Sequence, residues 1–584
     1  MTNTKGKITL LICLVLSLVM MLVLSSCDNT ESPSSDSTNM GETSTDSSTN
    51  NLVHTHSEEI IPAISPTCTE TGLTEGKKCS VCDHILIEQE KINATGHNYK
   101  NNFCLICNQS ALVYELSDDE SYYIVAGFTD EAIANLTIPS TYKELPVKSI
   151  KHTAFYGCKN LESVEIPNTV TSIGDGAFGM CTRLMKVVIP SSVTSINSYA
   201  FSNCPALEEI YINDIAAWCN ISFGVSANPI SGFNNTVKLY VNNNLLTNLV
   251  IPEGIASIKD DAFFAYKLLT SITFSNSVTS IGKSSFSGCD GLTNIDIPSS
   301  VTSIGGLAFY NCTSLERITI GDSVKSIGGM AFGKCVSLQE INFNAVAMND
   351  LEESHWIFEH AGQNGEGIRV TIGKNVTRIP NYLFSGDPFS AGEMGFSVPS
   401  IFSVEFAEEC VCESIGDYAF SDCALLTIIT ISKNIQSIGK NAFSGCYIKE
   451  ATIPTIAISV IKSGALEKVV INGGTSIDTS AFENCSSLKI IEIPNSVTSI
   501  DFCAFYGCSA LTTVTIPNSV TTMGDGAFRF CTSLTIYCEA ESQPIGWSDE
   551  WNSSRCPVYW YSEIEPSNSG SYWHYGDNNE IVIW

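Results

Sequence analysis

A phenylalanine returns at a fixed interval through most of this chain, and few architectures tolerate that. Phe155, Phe178 and Phe201 stand 23 residues apart, and the same step links Phe263, Phe286, Phe309 and Phe332, then Phe420 and Phe443, then Phe482, Phe505 and Phe528. Three residues after most of them comes a cysteine: Cys158, Cys181, Cys204, Cys289, Cys312, Cys335, Cys423, Cys446, Cys485, Cys508 and Cys531. One unit reads LESVEIPNTVTSIGDGAFGMC and a distant one LTTVTIPNSVTTMGDGAFRFC. Self-similarity at such a period marks stacked supersecondary units, none able to bury its apolar face alone.

The unit explains its own length. Val164 and Ile166 alternate with Glu165, as in a short strand with one buried face. Pro167 ends that ladder because it has no N–H to donate. Val170 and Ile173 supply a second apolar stretch, Gly174 marks a bend where a permissive backbone is useful, and Ala177, Phe178, Cys181 and Leu184 turn inward to close the coil. Stacking like on like gives a continuous core with parallel strands about 4.8 Å apart, so about 15 coils make a rod or arc of roughly 70 Å. The cysteines then form an interior column and act as small hydrophobes. Cys410/Cys412 and Cys538/Cys556 flank irregular segments and are the better disulfide candidates.

The grammar L-x-x-V-x-I-P-x-S-V-T-S-I-G-x-x-A-F-x-x-C over residues 111–540 resembles the BspA-like leucine-rich-repeat surface proteins. The stretch before Ile138-Pro139 is similar to that family's entry segment. The resemblance implies a β-rich solenoid, a leucine-rich-repeat-type right-handed coil with short parallel strands. It also implies export or surface attachment and, for some members, adhesion to host proteins or other bacteria. No residue-level binding site accompanies it.

The amino terminus has the layout of a secretory signal, with Lys5 and Lys7 before the apolar run Ile8–Leu24. Leu24-Ser25-Ser26-Cys27 resembles a bacterial lipobox, which implies cleavage after residues 1–26, acylation of Cys27 and anchoring in a membrane; a single N-terminal membrane anchor is the alternative. The signal and its cysteine thus occupy residues 1–27. Residues 28–52 are rich in Ser, Thr, Asn and acidic residues, which reads as a disordered tether.

Residues 53–110 concentrate His54, His56, Cys68, Cys79, Cys82, His84, His97, Cys104 and Cys107. Two Cys-x2-Cys pairs lie 21 residues apart. Such knuckles aim two thiolates at one point, and Cys79, Cys82, Cys104 and Cys107 make a zinc-ribbon-like set for structural zinc. His56, Cys68 and His97 are alternative ligands, under a grammar in which His56…Cys68…Cys79-x2-Cys82 is followed by a shortened copy, His97…Cys104-x2-Cys107. In an oxidising exterior the same cysteines pair as disulfides instead. PTCTETGLTEGKKCSVC with the later ATGH resembles a small module of gut-bacterial surface proteins, which assigns no biochemical role.

The period breaks twice, at 213–248 with Trp218, Phe223 and Phe233, and at 344–403 with His355, Trp356, Phe358 and His360. His355 and His360 are five apart, unsuited to a helical metal pair, and read as loop residues packed on the flank. Residues 541–584 carry five of the seven tryptophans, including Trp547, Trp551, Trp560, Trp573 and Trp584. They suit an aromatic cap over the open apolar end, with a glycan-stacking surface as the alternative.

Chemistry is hard to find in this sequence. Gly282-Lys283-Ser284 lacks the upstream glycine of a phosphate loop and falls in a repeat turn. No Gly-x-Ser-x-Gly or His-Glu-x-x-His motif occurs. Acidic residues outnumber basic ones 61 to 30, a net charge of −31, which disfavours nucleic acid as a partner. The expected function is a cell-surface lipoprotein whose leucine-rich-repeat solenoid is a scaffold that binds an extracellular protein or glycan and serves adhesion to host or other cells. A passive spacer or coat component is the alternative, and an extracellular enzyme the least favoured.

Overall fold

The computed structural model describes residues 55–100, 103–107, 109–129, 133–231, 237–353, 355–386, 399–461, 464–567 and 570–584. The signal and anchor segment 1–27 with Cys27, the tether 28–52, His54 and Phe233 lie outside the described residues. The chain forms two compact units, Met1–Thr95 and Gly96–Trp584.

In the first unit Gly76–Cys79 pairs antiparallel with Glu58–Ile61 on one side and Ile85–Ile87 on the other. Gly72–Leu73 pairs with Lys91–Ile92. Cys68 and Cys79 are the buried apolar side chains among its described residues, while Ile60, Ile64, Val81, Ile85 and Ile87 are exposed.

The second unit is a β-rich leucine-rich-repeat coil. After a hairpin of Tyr99–Lys100 with Phe103–Cys104, Leu112–Leu116 pairs antiparallel with Tyr123–Phe128, which then runs parallel to Leu145–Ile150. Two parallel ladders follow. The first joins strands such as Ser163–Glu165 with Lys186–Val188, and Asn294–Asp296 with Arg317–Ile320, setting Val164 on Val187 and Ile295 on Ile318. Its longest sheet has nine strands, from Asn294–Asp296 to Ile490–Glu492. The second consists mostly of two-residue Ser-Ile strands, with Ser280 on Ser303 and Ile281 on Ile304. Alternation along Ile368–Ile372, with Ile368, Val370 and Ile372 buried, shows the expected one-faced burial.

The third side holds the aromatic column. Phe155–Phe178, Phe286–Phe309 and Phe505–Phe528 ring centroids are 5.1, 5.3 and 5.1 Å apart and nearly parallel. Each amide reaches one coil onward, as Phe178 N donates to the Ala200 carbonyl at 2.8 Å. This side is a turn rather than a strand, and it places residues such as Tyr199, Leu307 and Met330 at positive φ. Gly174 is not one of these positions. A Cβ there would come within 2.5 Å of the His152 backbone N, so the glycine serves the close approach of neighbouring coils rather than a left-handed bend.

The cysteine column is buried apart from the half-buried Cys446, and it has a bonding partner that the repeat pattern did not suggest. Cys181 Sγ donates to the Phe155 carbonyl at 3.1 Å, Cys312 to Phe286 at 3.2 Å and Cys531 to Phe505 at 3.1 Å, each 26 residues back, while Cys423 reaches Phe384 across a longer connection of 39. Burial pushes the Cys335 thiol up to about 12, opposed by its backbone contact to Cys312. The expected disulfide candidates are separate thiols here. Cys410 donates to the Gly373 carbonyl and Cys412 to Ser414, both at 3.4 Å, while Cys556 joins the column through the Cys531 carbonyl at 3.3 Å.

Segment 344–403 is less of a break than its sequence suggests. Phe358 sits 5.6 Å from Phe332 and 5.5 Å from Phe384, and Phe384 sits 5.1 Å from Phe420, so the column runs through it. At the far end Val558–Tyr561 and Tyr572–Tyr575 extend the ladder in parallel, and Ile581–Ile583 closes it antiparallel. Trp547, Trp551 and Trp573 are buried there, Trp560 half-buried and Trp584 exposed.

Candidate functional site

Three places could carry function: the two Cys/His knuckles, a groove where the aromatic column fails, and the aromatic end.

In the first unit the turn after Gly76–Cys79 is fixed by Cys79 N donating to the His84 carbonyl at 2.8 Å and Asp83 N to the Cys79 carbonyl at 2.9 Å. Asp83 takes a left-handed φ of 55° to close it. Val81 N points at Cys79 Sγ at 3.5 Å, and Cys82 Sγ lies 3.5 Å from His56 Nδ1. The ligand atoms of His56, Cys79 and Cys82 all fall within 4.8 Å of one another. His84 stacks on His56 with centroids 5.6 Å apart. Cys68 is buried beside the turn in which Glu70 N donates to Thr67 Oγ1 at 2.9 Å.

In the second unit Ile106 N points at Cys104 Sγ at 3.4 Å, and Cys107 Sγ lies 3.4 Å from His97 Nδ1. The ligand atoms of His97, Cys104 and Cys107 likewise fall within 4.8 Å of one another. Burial alone raises the Cys104 thiol. The amides of Cys107, Ile106 and Asn98 and the His97 ring outweigh it and pull the thiol down to about 5. The two knuckles expected to share one four-thiol set thus each fall with their own upstream histidine.

The groove lies in the lengthened coil at 213–248. Asp214 caps the short helix Ile215–Cys219 by accepting from the amides of Ala216 and Ala217. Gly224 N donates to Ile196 O and Ala227 N to Gly224 O, the bonds Gly174 and Ala177 make in their coil, so Asn228 takes the slot of Phe178. Its Nδ2 donates to the carbonyls of Asp261 and Ala262 at 2.6 and 3.0 Å, and Trp218 Nε1 shares the latter at 2.9 Å. Without a ring in that slot, a cavity of about 640 Å³ opens, lined among others by Phe201, Phe223, Asp260, Asp261, Phe264 and Lys283. Burial raises the Asp261 carboxyl, the neighbouring Asp260 charge adds to the rise and Lys283 opposes it. The sequence pattern flagged the lengthened coil but not Asn228; its signal was a missing Phe at a predictable slot. Lys283, from the rejected phosphate-loop reading, lies in a repeat turn, its amide held by Asp260 Oδ1 at 2.7 Å.

Elsewhere the sequence-level candidates are structural. His355 Nδ1 lies 3.2 Å from the Glu352 carbonyl, and His360 Nδ1 3.0 Å from the Gln363 amide. At the aromatic end Trp547 Nε1 donates to Val520 O and Trp573 Nε1 to Cys538 O, both at 3.0 Å, as buried indoles require. Trp584 stacks on His574 at 4.0 Å in the open. No helix among the described residues is long and apolar enough to cross a membrane.

Among solved structures, the chain is similar to a leucine-rich repeat protein from Bacteroides ovatus, at 23% identity over 73% of this chain and 98% of that one, with a TM-score of 0.42. It is also similar to a leucine rich cell surface protein from Faecalibacterium prausnitzii, at 25% identity over 69% and 92%, with a TM-score of 0.32. No curated protein matches. A family model described as the BspA type leucine rich repeat region matches in six copies, over residues 126–226, 237–356, 264–390, 390–472 and 462–545. These matches cover the coils whose Phe and Cys columns are described above, and by them the chain belongs to the BspA-type leucine-rich repeat family.

Proposed function

We propose that the chain is an exported lipoprotein, held at the cell surface through Cys27, whose coils form a binding scaffold for an extracellular protein or glycan and serve adhesion to host or other cells. The observation that carries this reading is the groove at Asn228. In a stacked array the regular coils supply rigidity, and departures from the repeat supply a distinctive surface. This departure opens a concavity of about 640 Å³ that sets the aromatic rings of Phe223 and Phe264 beside Asp260, Asp261 and Lys283. Rings with a few convergent polar groups are the usual lining of a ligand site. Family membership supports a scaffold rather than a catalyst, and the net charge of −31 argues against nucleic acid as the ligand.

The test is retention of the full chain on an array of matrix proteins and glycans, beside a Phe264→Ala/Lys283→Glu double variant. The reading expects a retained ligand whose binding falls at least tenfold in the variant. Retention of nothing would favour the spacer or coat role, and equal retention by both chains would move the site elsewhere.

A further inference from the structure

We propose that each Cys-x2-Cys knuckle, with the histidine upstream of it, is a separate site for one zinc-type divalent cation: His56, Cys79 and Cys82 in the first unit, and His97, Cys104 and Cys107 in the second. This replaces the single four-thiol ribbon expected from the spacing of the pairs. It stands independently of the adhesion reading.

The geometry is the first support. An ion about 2.3 Å from a thiolate and about 2.0–2.1 Å from an imidazole, in tetrahedral coordination, places sulfur and nitrogen about 3.5 Å apart. The Cys82 Sγ to His56 Nδ1 distance is 3.5 Å, and the Cys107 Sγ to His97 Nδ1 distance is 3.4 Å. Both fit such an edge. In each knuckle the first sulfur also receives the amide two residues on, from Val81 or Ile106. Those amides stabilise thiolate charge and orient the sulfur, the service outer partners give to metal ligands. The same three-donor arrangement is therefore built twice, on the same order of residues, in two units with different surroundings.

The chemistry of the donors is the second support. Two thiolates and one imidazole suit zinc and neighbouring soft ions far better than calcium or magnesium, which take oxygen. His56, Cys79 and Cys82 supply three of four tetrahedral donors and leave the last place to water or another side chain.

Stability is the third. Among the described residues of the first unit the buried apolar side chains are Cys68 and Cys79, and five large aliphatic residues are exposed. A segment that small with so little core needs a staple, and metal binding energy then becomes folding energy.

The purified full chain, reduced, loaded with zinc and freed of excess, is measured for zinc per chain by elemental analysis. The expected ratio is two. Cys82→Ser and Cys107→Ser each lower it to one, and the double substitution lowers it to zero. If Cys82→Ser merely unfolds the first unit, the second ion stays and the ratio is still one. Cobalt loading gives a second readout, since each remaining site keeps about half of the thiolate charge-transfer absorbance. His56→Gln and His97→Gln each remove one ion or weaken it at least tenfold. A ratio of one in the parent that falls to zero with either cysteine substitution means a shared site and overturns the proposal. A ratio near zero under reducing conditions overturns it as well, as does a ratio that neither substitution changes.

Discussion

The coils from Phe263 to Phe343 and the small unit ending at Thr95 solve the same problem with opposite means. In the coils Phe263, Phe286, Phe309 and Phe332 are fully buried, together with Leu, Ile and Val side chains and, in most turns, an Ala and a Cys. Burying each such side chain is worth about 1.5–3 kcal/mol, and repetition makes the sum large. In the small unit Ile60 is 57% exposed and Val81 70%, and the apolar atoms sheltered from water are largely cysteine sulfur. Repetition lets a coil borrow a floor and a ceiling from its neighbours. The three-stranded and two-stranded sheets of the small unit have neither.

Chelation probes this contrast most severely. Removing metal should abolish amide-exchange protection across Gly76–Cys79 and Ile85–Ile87 while leaving Arg317–Ile320 and Glu340–Phe343 unchanged. Equal loss in both regions would erase the distinction. Within the coils, Phe286→Ala should cost about 3–5 kcal/mol by denaturant titration, because its ring is buried between Phe263 and Phe309. Cys312→Ala removes a smaller group and the bond to the Phe286 carbonyl, so about 1 kcal/mol is expected from the same titration. Arg317→Ala breaks an exposed pair with Glu340 at 2.8 Å and should leave the denaturation midpoint where it was. A midpoint that moves as far as for Cys312→Ala would mean that the coil surface, and not only its interior, holds the stack together.

Much of this contrast was legible in the sequence. The step of 23 located the Phe and Cys columns because stacking forces like residues into like slots. It lost Phe358 and Phe384 because longer connections change the step without changing the slot, and only the neighbouring rings at 5.6 and 5.1 Å reveal them. Gly174 was misread for a related reason. A glycine in a bend suggests an unusual φ, whereas here the constraint comes from the coil beneath, which sequence spacing does not display. Tyr266 is another case: it stands where sibling coils carry cysteine, and its hydroxyl reaches back to the Leu246 carbonyl at 2.6 Å to fill space left by the lengthened coil. At the knuckles, the residue types announced soft-metal donors and the repeated grammar set His56 before Cys79 and Cys82 and His97 before Cys104 and Cys107, but spacing alone did not choose between that pairing and one shared four-thiol set. Asn228 was invisible until its slot could be counted through the hydrogen bonds of its own coil.

The sulfur-to-carbonyl bond that spans 26 residues has a consequence for how such a chain changes over generations. In the regular coils the joint between neighbouring turns is made by the same atoms, Cys to the Phe carbonyl of the turn before, as at Cys312 and Cys335, and Phe amide to the Ala carbonyl of the turn after, as at Phe286 and Phe309. A gene segment encoding one whole period can therefore be duplicated or lost in frame, and the two new neighbours will find each other's contacts already in place. Length is thus free to drift, while the irregular turns, which fit only the partners they have, are held to their positions.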